Sequence, residues 1–237
     1  MSDTTIKTAL VTGGSKGIGY GIAEVLIKEG IRVAITSRSQ ENADEAAAAL
    51  NKIKEDYALG IESDVRDLDS QQQAVDAVVQ QWGRLDYMVA NAGIGHFAPL
   101  QELSSDQWQE TIDINVTGVF NSAKAAIPAL KETKGYFITI ASLAGTNFFA
   151  GGAAYNASKF AVVGFTQAMM LDVRNDGIKV TTIMPGSVAT HFNGHEPNEK
   201  DAWKIQPEDI GQIVLDLIRM PARTLPSKVE VRPTMPK

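Results

Sequence analysis

The stretch "KTALVTGGSKGIGYGIAEVLIKEGIRVAITS", residues 7–37, changes its periodicity twice. "KTALVT" (7–12) is a short apolar run, the pattern of a buried strand. "GIGYGIAEVLIKEG" then spaces its apolar residues as one helical face until Gly30 stops it. "IRVAITS" (31–37) returns to a continuous apolar run. Two parallel strands need a crossover long enough to hold a helix, and this stretch has that plan.

The plan repeats along the chain. "QENADEAAAALNKIKED" reads as the second helix, "YALGIES" as the third strand and residues 69–82 as an amphipathic helix. "LDYMVANAG" is a fourth strand. "SSDQ", residues 104–107, is a capping box opening one long helix to about Leu130. "GYFITIAS" is a fifth strand, residues 153–175 a helix ending near Gly177, and "IKVTTIMPG" a sixth strand. Pro207 starts a last helix where its missing N–H does no harm, and "KVEVR" is a seventh strand. Nearly continuous apolar strands alternating with helices predict a parallel sheet covered on both faces. The expectation is a doubly wound α/β fold of Rossmann type with about seven strands. No linker or composition shift divides residues 1–237, so one domain is expected.

Composition narrows the function. The chain is 44% hydrophobic and 21% charged, with a net charge of −6, which argues against general nucleic-acid binding. It has no cysteine, so disulfides, thiolate catalysis and Cys-based metal sites are excluded. Residues 1–10 lack the basic and apolar regions of a signal peptide, and no apolar run approaches a membrane span. A cytoplasmic protein with no membrane partner is expected.

Ligands of such sheets sit beyond the carboxyl ends of the strands. The first end reads "TGGSKGIG", residues 12–19, with Gly13, Gly17 and Gly19 around Ser15, Lys16 and Ile18. Glycine lets the chain turn tightly against a pyrophosphate, whose charge suits the free N–H groups of a helix start. The spacing G-x-x-x-G-x-G differs from the usual dinucleotide fingerprint, and taken alone it also suits a turn that binds nothing. At the end of the second strand, "TSRSQ" offers Ser37 and Arg38 where a carboxylate would accept a ribose 2′-OH. Arg38 and Lys16 suit a 2′-phosphate instead, so NADP(H) is favoured over NAD.

Further on, Ser142 ends the fifth strand, and Tyr155 and Lys159 lie four apart on the next helix, hence side by side. Together with Asn115, these motifs resemble the short-chain dehydrogenase/reductase family over essentially the whole chain. "TGGSKGIG" is similar to its cofactor loop, "NAG" (Asn91, Ala92, Gly93) to its motif after the fourth strand, and "PGSVAT" (185–190) to its loop after the sixth. Asn115, Ser142 and "YNASK" resemble its catalytic tetrad. The chemistry accounts for the residue types. Reducing a ketone puts negative charge on oxygen, which needs a proton and a hydrogen-bond donor. A free phenol has a pKa of about 10, and a nearby ammonium lowers it. Tyr155 is then expected as the acid in reduction and the base in oxidation, tuned by Lys159, with Ser142 donating to the substrate oxygen.

The resemblance implies more. Lys159 would also hold the nicotinamide ribose, and Asn115 would anchor a water joining Lys159 to solvent. Asp64 and Val65 would contact adenine, and Asn91 the neighbouring ribose. Pro185, Gly186, the backbone of Val188 and the hydroxyl of Thr190 would hold the nicotinamide end. A homo-oligomer, dimer or tetramer, built on helices 105–130 and 153–175 is also implied.

The loops after strands four to six offer His96, Phe97, Phe148, Phe149, Phe192 and Trp203 as an aromatic wall for a small hydrophobic ketone, aldehyde or alcohol. Those rings would equally pack loops or an interface. His191, His195 and Glu196 hint at a metal, but Asn193 and Gly194 disfavour the helix that would align them, so none is expected. The segment from Thr190 to Pro207 is short for a lid, which suggests an open pocket. The expected activity is an NADP(H)-dependent carbonyl reductase or alcohol dehydrogenase. The alternatives are an NAD-dependent alcohol dehydrogenase, a non-catalytic dinucleotide-binding regulator and a 3-oxoacyl-(acyl-carrier-protein) reductase. Pro128 and Leu171, where carrier-binding members show arginines, weaken the last.

Overall fold

A computed structural model describes residues 5–235; residues 1–4, part of the leader reading above, lie outside the described residues. Seven strands form one sheet: β1 (Thr8–Val11), β2 (Arg32–Ser37), β3 (Ala58–Glu62), β4 (Tyr87–Ala90), β5 (Tyr136–Ile140), β6 (Lys179–Pro185) and β7 (Lys228–Val231). All pairs are parallel, in the order β3-β2-β1-β4-β5-β6-β7. The chain leaves β1 towards β2 on one side and returns to β4 on the other. Val11 therefore pairs with Ile35 and with Val89, and a crevice opens at the ends of β1 and β4.

Two apolar layers explain the continuous strands. On one face α1 (Gly17–Lys28) and α7 (Pro207–Arg219) bury Ile22, Leu26, Val214 and Leu217 against the sheet. On the other, α3 (Leu68–Trp82), α5 (Gly118–Thr133) and α6 (Ala153–Val173) bury Val78, Leu130, Val162 and Met169. Phe137 on β5 is fully buried, and a side chain of that kind contributes roughly 1.5–3 kcal/mol by leaving water. Helix α2 (Gln40–Asn51) packs on the β2–β3 edge. Among the described residues no helix is long and apolar enough to cross a membrane.

The long helix opened by the Ser104 capping box departs from expectation. It begins as α4 (Ser105–Ile112), widens into a π turn over Asp113–Thr117 and resumes as α5, ending at Thr133. In the wide turn the Gly118 N–H reaches back five residues to the Asp113 carbonyl. Asn115 sits in the middle of it. Such a turn inserts one extra residue and re-aims the groups it carries, which is why it recurs at functional sites.

Candidate active site

The glycine turn has the backbone its sequence calls for. Gly13 and Gly17 adopt φ of +61° and +60°, values that other residues reach only with strain. A Cβ on Gly19 would lie 2.6 Å from Asn91 Nδ2 and 2.7 Å from the Gly13 carbonyl. Asn91 is the latch: its Nδ2 donates to the carbonyls of Thr12 (2.9 Å) and Gly13 (3.1 Å). Thr12, which the sequence did not single out, returns the tie. Its hydroxyl oxygen accepts from the N–H groups of Asn91 and Ala92 at 3.0 and 3.1 Å. Helix α1 begins at Gly17 with no side-chain cap, so its first N–H groups are left without a capping partner beside this latch.

Around that crevice, Thr190 packs 3.5 Å from where a Gly17 Cβ would stand, joining the loop after β6 to the glycine turn. Gly186 is tied by its N–H to the Val231 carbonyl, and Val188 pairs with Ile205. At the β2 end, Ser37 is half-buried while Arg38 and Lys16 are exposed, and neither cation has a hydrogen bond or ion pair among the described residues. Val65 is buried, and its carbonyl accepts from Asn121. Asp64 is engaged by Arg66, whose Nε lies 3.0 Å from both carboxylate oxygens and holds its carboxyl below the usual range.

The four tetrad positions converge across three elements. Asn115 Oδ1 accepts from the Ile94 N–H at 2.8 Å, and its Nδ2 donates to the Ile94 carbonyl (2.9 Å) and to Ser158 Oγ (3.0 Å). Ser158 donates in turn to the Tyr155 carbonyl at 2.8 Å, so it links the π turn to α6. A Cβ on Gly93 would stand 3.3 Å from Asn115 Oδ1 and 3.5 Å from Lys159 Nζ, so only glycine leaves that corner open. Asn156, also missed by sequence reasoning, donates to the carbonyls of Ala144 and Asn147 at 2.7 Å each and holds the loop after Ser142.

Lys159 is 6% exposed, and its ammonium donates to the Ile140 carbonyl at 3.1 Å. Among the described residues no carboxylate is paired with it, and burial pulls its pKa from 10.5 down to about 8. The Tyr155 phenol is pushed up by burial and drawn back by the neighbouring Ser142 hydroxyl, which itself donates to the Pro185 carbonyl at 3.4 Å and accepts from the Ala144 N–H at 3.1 Å. Lys159 lies over the ring face, 5.6 Å from the centroid.

Two of the predicted wall residues meet Tyr155, and a third joins them through Phe97. The Phe97 and Phe192 rings stand 5.3 and 5.7 Å from Tyr155, and Phe149 stands 5.8 Å from Phe97. A Cβ on Gly95 would lie 2.7 Å from Phe192 and 2.8 Å from Phe97, so Gly95 is what lets the two rings close. Phe192 therefore brings the segment after Thr190 to Tyr155, with its ring still 37% exposed. Phe148 projects to solvent, 85% exposed, outside this cluster. His96 turns to Glu110, 2.8 Å away, and Trp203 packs beside Lys204. His195 binds Asp201 and His191 lies near Glu196; no trio of His, Cys, Asp or Glu that could hold a metal occurs among the described residues.

Residues 7–201 match the family model for short chain dehydrogenases. The chain belongs to the short-chain dehydrogenase/reductase family of oxidoreductases. An uncharacterised oxidoreductase of Staphylococcus aureus strain USA300 is 32% identical over 98% of this chain and its own full length. An alcohol dehydrogenase of the archaeon Thermococcus sibiricus, solved with 5-hydroxy-NADP, is 28% identical and superposes with a TM-score of 0.90 over 98% of this chain and 99% of its own. A 3-ketoacyl-ACP reductase of Sinorhizobium meliloti 1021 is 29% identical, with a TM-score of 0.85 over 95% and 97%.

The buried ammonium has a consequence for stability. A lysine with its folded pKa depressed to about 8 penalises the fold fully below that pH, and the penalty fades as pH rises towards 10.5. Lys159→Met keeps the bulk and removes the charge. It is expected to raise Tm at pH 7 by the equivalent of up to about 3 kcal/mol, with the gain shrinking between pH 8 and 10.5. Thermal melts of the ligand-free protein across that range check this.

Proposed function

We propose that this family member is an NADP(H)-dependent oxidoreductase interconverting an apolar ketone or aldehyde and its alcohol, with Tyr155 as general acid and base. The observation that carries the reading is the buried Lys159 ammonium beside the Tyr155–Ser142 pair, at the ends of the central strands. A buried cation with a single neutral acceptor is suited to further oxygen partners such as ribose hydroxyls. The glycine turn fits the pyrophosphate of the same ligand, since side chains at Gly13, Gly17 and Gly19 would strain or fill the cradle.

The nicotinamide, when bound, supplies the hydride in reduction and accepts it in oxidation. The protein's part is proton transfer and orientation. Ser142 Oγ donates to the carbonyl oxygen and fixes it near Tyr155. The phenol, which burial pushes further from ionisation, donates its proton as charge builds on that oxygen. Lys159 orients the ribose and keeps positive charge close to the phenolate that remains. Asn115, re-aimed by the π turn, anchors the water path by which the proton is restored. Phe97, Phe149 and Phe192 offer an apolar wall that favours apolar substituents on the carbonyl.

The 2′-phosphate is assigned to Arg38 and Lys16, two exposed cations with no carboxylate at the end of β2. Asp64 and Val65 border the adenine, Asn91 with Ala92 and Gly93 the adjoining ribose, and Pro185, Gly186, Val188 and Thr190 the nicotinamide end. A homo-oligomer is supported by the exposed Phe120, Phe160 and Leu171 on α5 and α6.

Tyr155→Phe is expected to lower kcat for ketone reduction by about a thousandfold while changing the NADPH Kd less than about threefold. Steady-state assays and a cofactor fluorescence titration measure the two; turnover within tenfold of the parent would refute Tyr155 as the acid. Arg38→Asp is expected to weaken NADPH binding by about tenfold or more and to shift preference towards NADH. An unchanged ratio of the two dissociation constants would show that Arg38 does not meet the phosphate.

A further inference from the structure

The segment between Thr190 and Pro207 contains two short turns, Phe192–Gly194 and Glu199–Asp201, yet it is fastened at many points. Asp201 is the hub. Its side chain is 8% exposed, and Oδ2 accepts from His195 Nε2 at 2.6 Å and from the Asn198 N–H at 3.1 Å. Oδ1 takes the Lys204 ammonium at 2.7 Å. Its backbone carbonyl accepts from the Lys204 N–H at 2.8 Å and from Gln206 Nε2 at 3.3 Å. Lys204 foremost, and then His195, hold the Asp201 carboxyl well below the usual range. A carboxylate only accepts, so His195 Nε2 carries the hydrogen of that bond.

One arm of the hub is anchored to the sheet side, where Ala189 and Ile205 exchange backbone bonds with each other's strand-like runs: the Ala189 N–H donates to Ile205 at 2.9 Å, and the Ile205 N–H to Ser187 at 3.1 Å. The other arm is His195, whose N–H donates to the Phe192 carbonyl at 3.3 Å. The turn between them passes through Asn193 and Gly194 in left-handed conformations, φ of +57° and +73°, which these two residue types adopt readily. Its start is tied by the Phe192 N–H, which donates to Thr190 Oγ1 at 3.3 Å. What it presents is the Phe192 ring, 5.7 Å from Tyr155 and 6.2 Å from Phe97.

We infer that Asp201 is a positioning residue for substrate selection: through His195 it holds Phe192 at the phenol and so favours flat, aromatic carbonyl compounds over small aliphatic ones. Asp201 touches no reacting atom, and its effect passes through one ring. The inference rests on the reading of Tyr155 as the acid. Phe97 and Phe192 remain 40% and 37% exposed, so each offers a face on which an aryl substituent can lie.

The test compares the parent enzyme, Asp201→Asn, His195→Ala, Phe192→Ala and the His195→Ala/Phe192→Ala double variant, with NADPH and either acetophenone or acetone. His195→Ala removes the imidazole that joins Asp201 to the Phe192 turn, keeps the backbone bond from residue 195 to Phe192 and leaves the Asp201–Lys204 pair, so it serves even if Asp201→Asn does not fold. Asp201→Asn and His195→Ala are expected to lower kcat/KM for acetophenone about tenfold, mainly through KM, with acetone and the NADPH Kd changed less than about twofold. Phe192→Ala should show the acetophenone loss too, and the double variant no further loss. Additive losses, an equal fall with both ketones, or parental acetophenone kinetics in His195→Ala would each overturn the inference while leaving Tyr155 as the acid. A parent enzyme that reduces neither ketone would overturn it together with that reading.

Discussion

The constraint on which the site depends is the Lys159 ammonium, enclosed by protein with one backbone carbonyl as its hydrogen-bond partner. Burying a cation without a counter-charge is unfavourable, and the fold tolerates it because the cost falls at one point of a large apolar core. Every neighbour is arranged around that choice. Gly93 leaves the corner beside the ammonium open, Gly145 lets its loop approach the Lys159 backbone, where a Cβ would come within 2.8 Å of the carbonyl, and Asn115 ties the π turn to the strand end. The result is a charge already in place before any ligand arrives, in surroundings where it acts strongly.

The rest of the sheet supplies position. The reversal of strand order at β1 and β4 opens the crevice, and the Asn91–Thr12 exchange sets its width through four hydrogen bonds. Tyr155 and Lys159 lie on α6 and Ser142 just beyond β5, and Asn156 ties α6 to the loop that follows Ser142. The aromatic wall is built differently. Its rings come from three loops and meet only because Gly95 leaves room, which makes it the adaptable part of the site.

The elements of the fold were legible because strand and helix periods differ and because Gly30, Gly177, Pro207 and the Ser104 box punctuate them locally. The glycine turn and the Tyr155–Lys159 spacing were legible for the same reason: their geometry is set within a few residues. The π turn was not, since "DINVT" holds no breaker and its extra residue leaves the apolar period almost intact. Ser158, Asn156, Gly95 and the Asp201 hub escaped notice because their partners are distant in sequence or gain meaning only when loops meet. Helix spacing brought Tyr155 and Lys159 together without showing that both are buried, and burial is what pushes the phenol up and the ammonium down.

The most direct test of this account is proton uptake when NADPH binds, measured by isothermal titration calorimetry at pH 8 in buffers of different ionisation enthalpy. Near that pH the Lys159 amine is about half protonated in the free protein. If ribose hydroxyls become its partners, the charged form gains acceptors, and binding takes up a fraction of a proton that disappears in Lys159→Met. Binding without proton uptake, or with the same uptake in the variant, would contradict the claim that Lys159 is the cofactor's anchor.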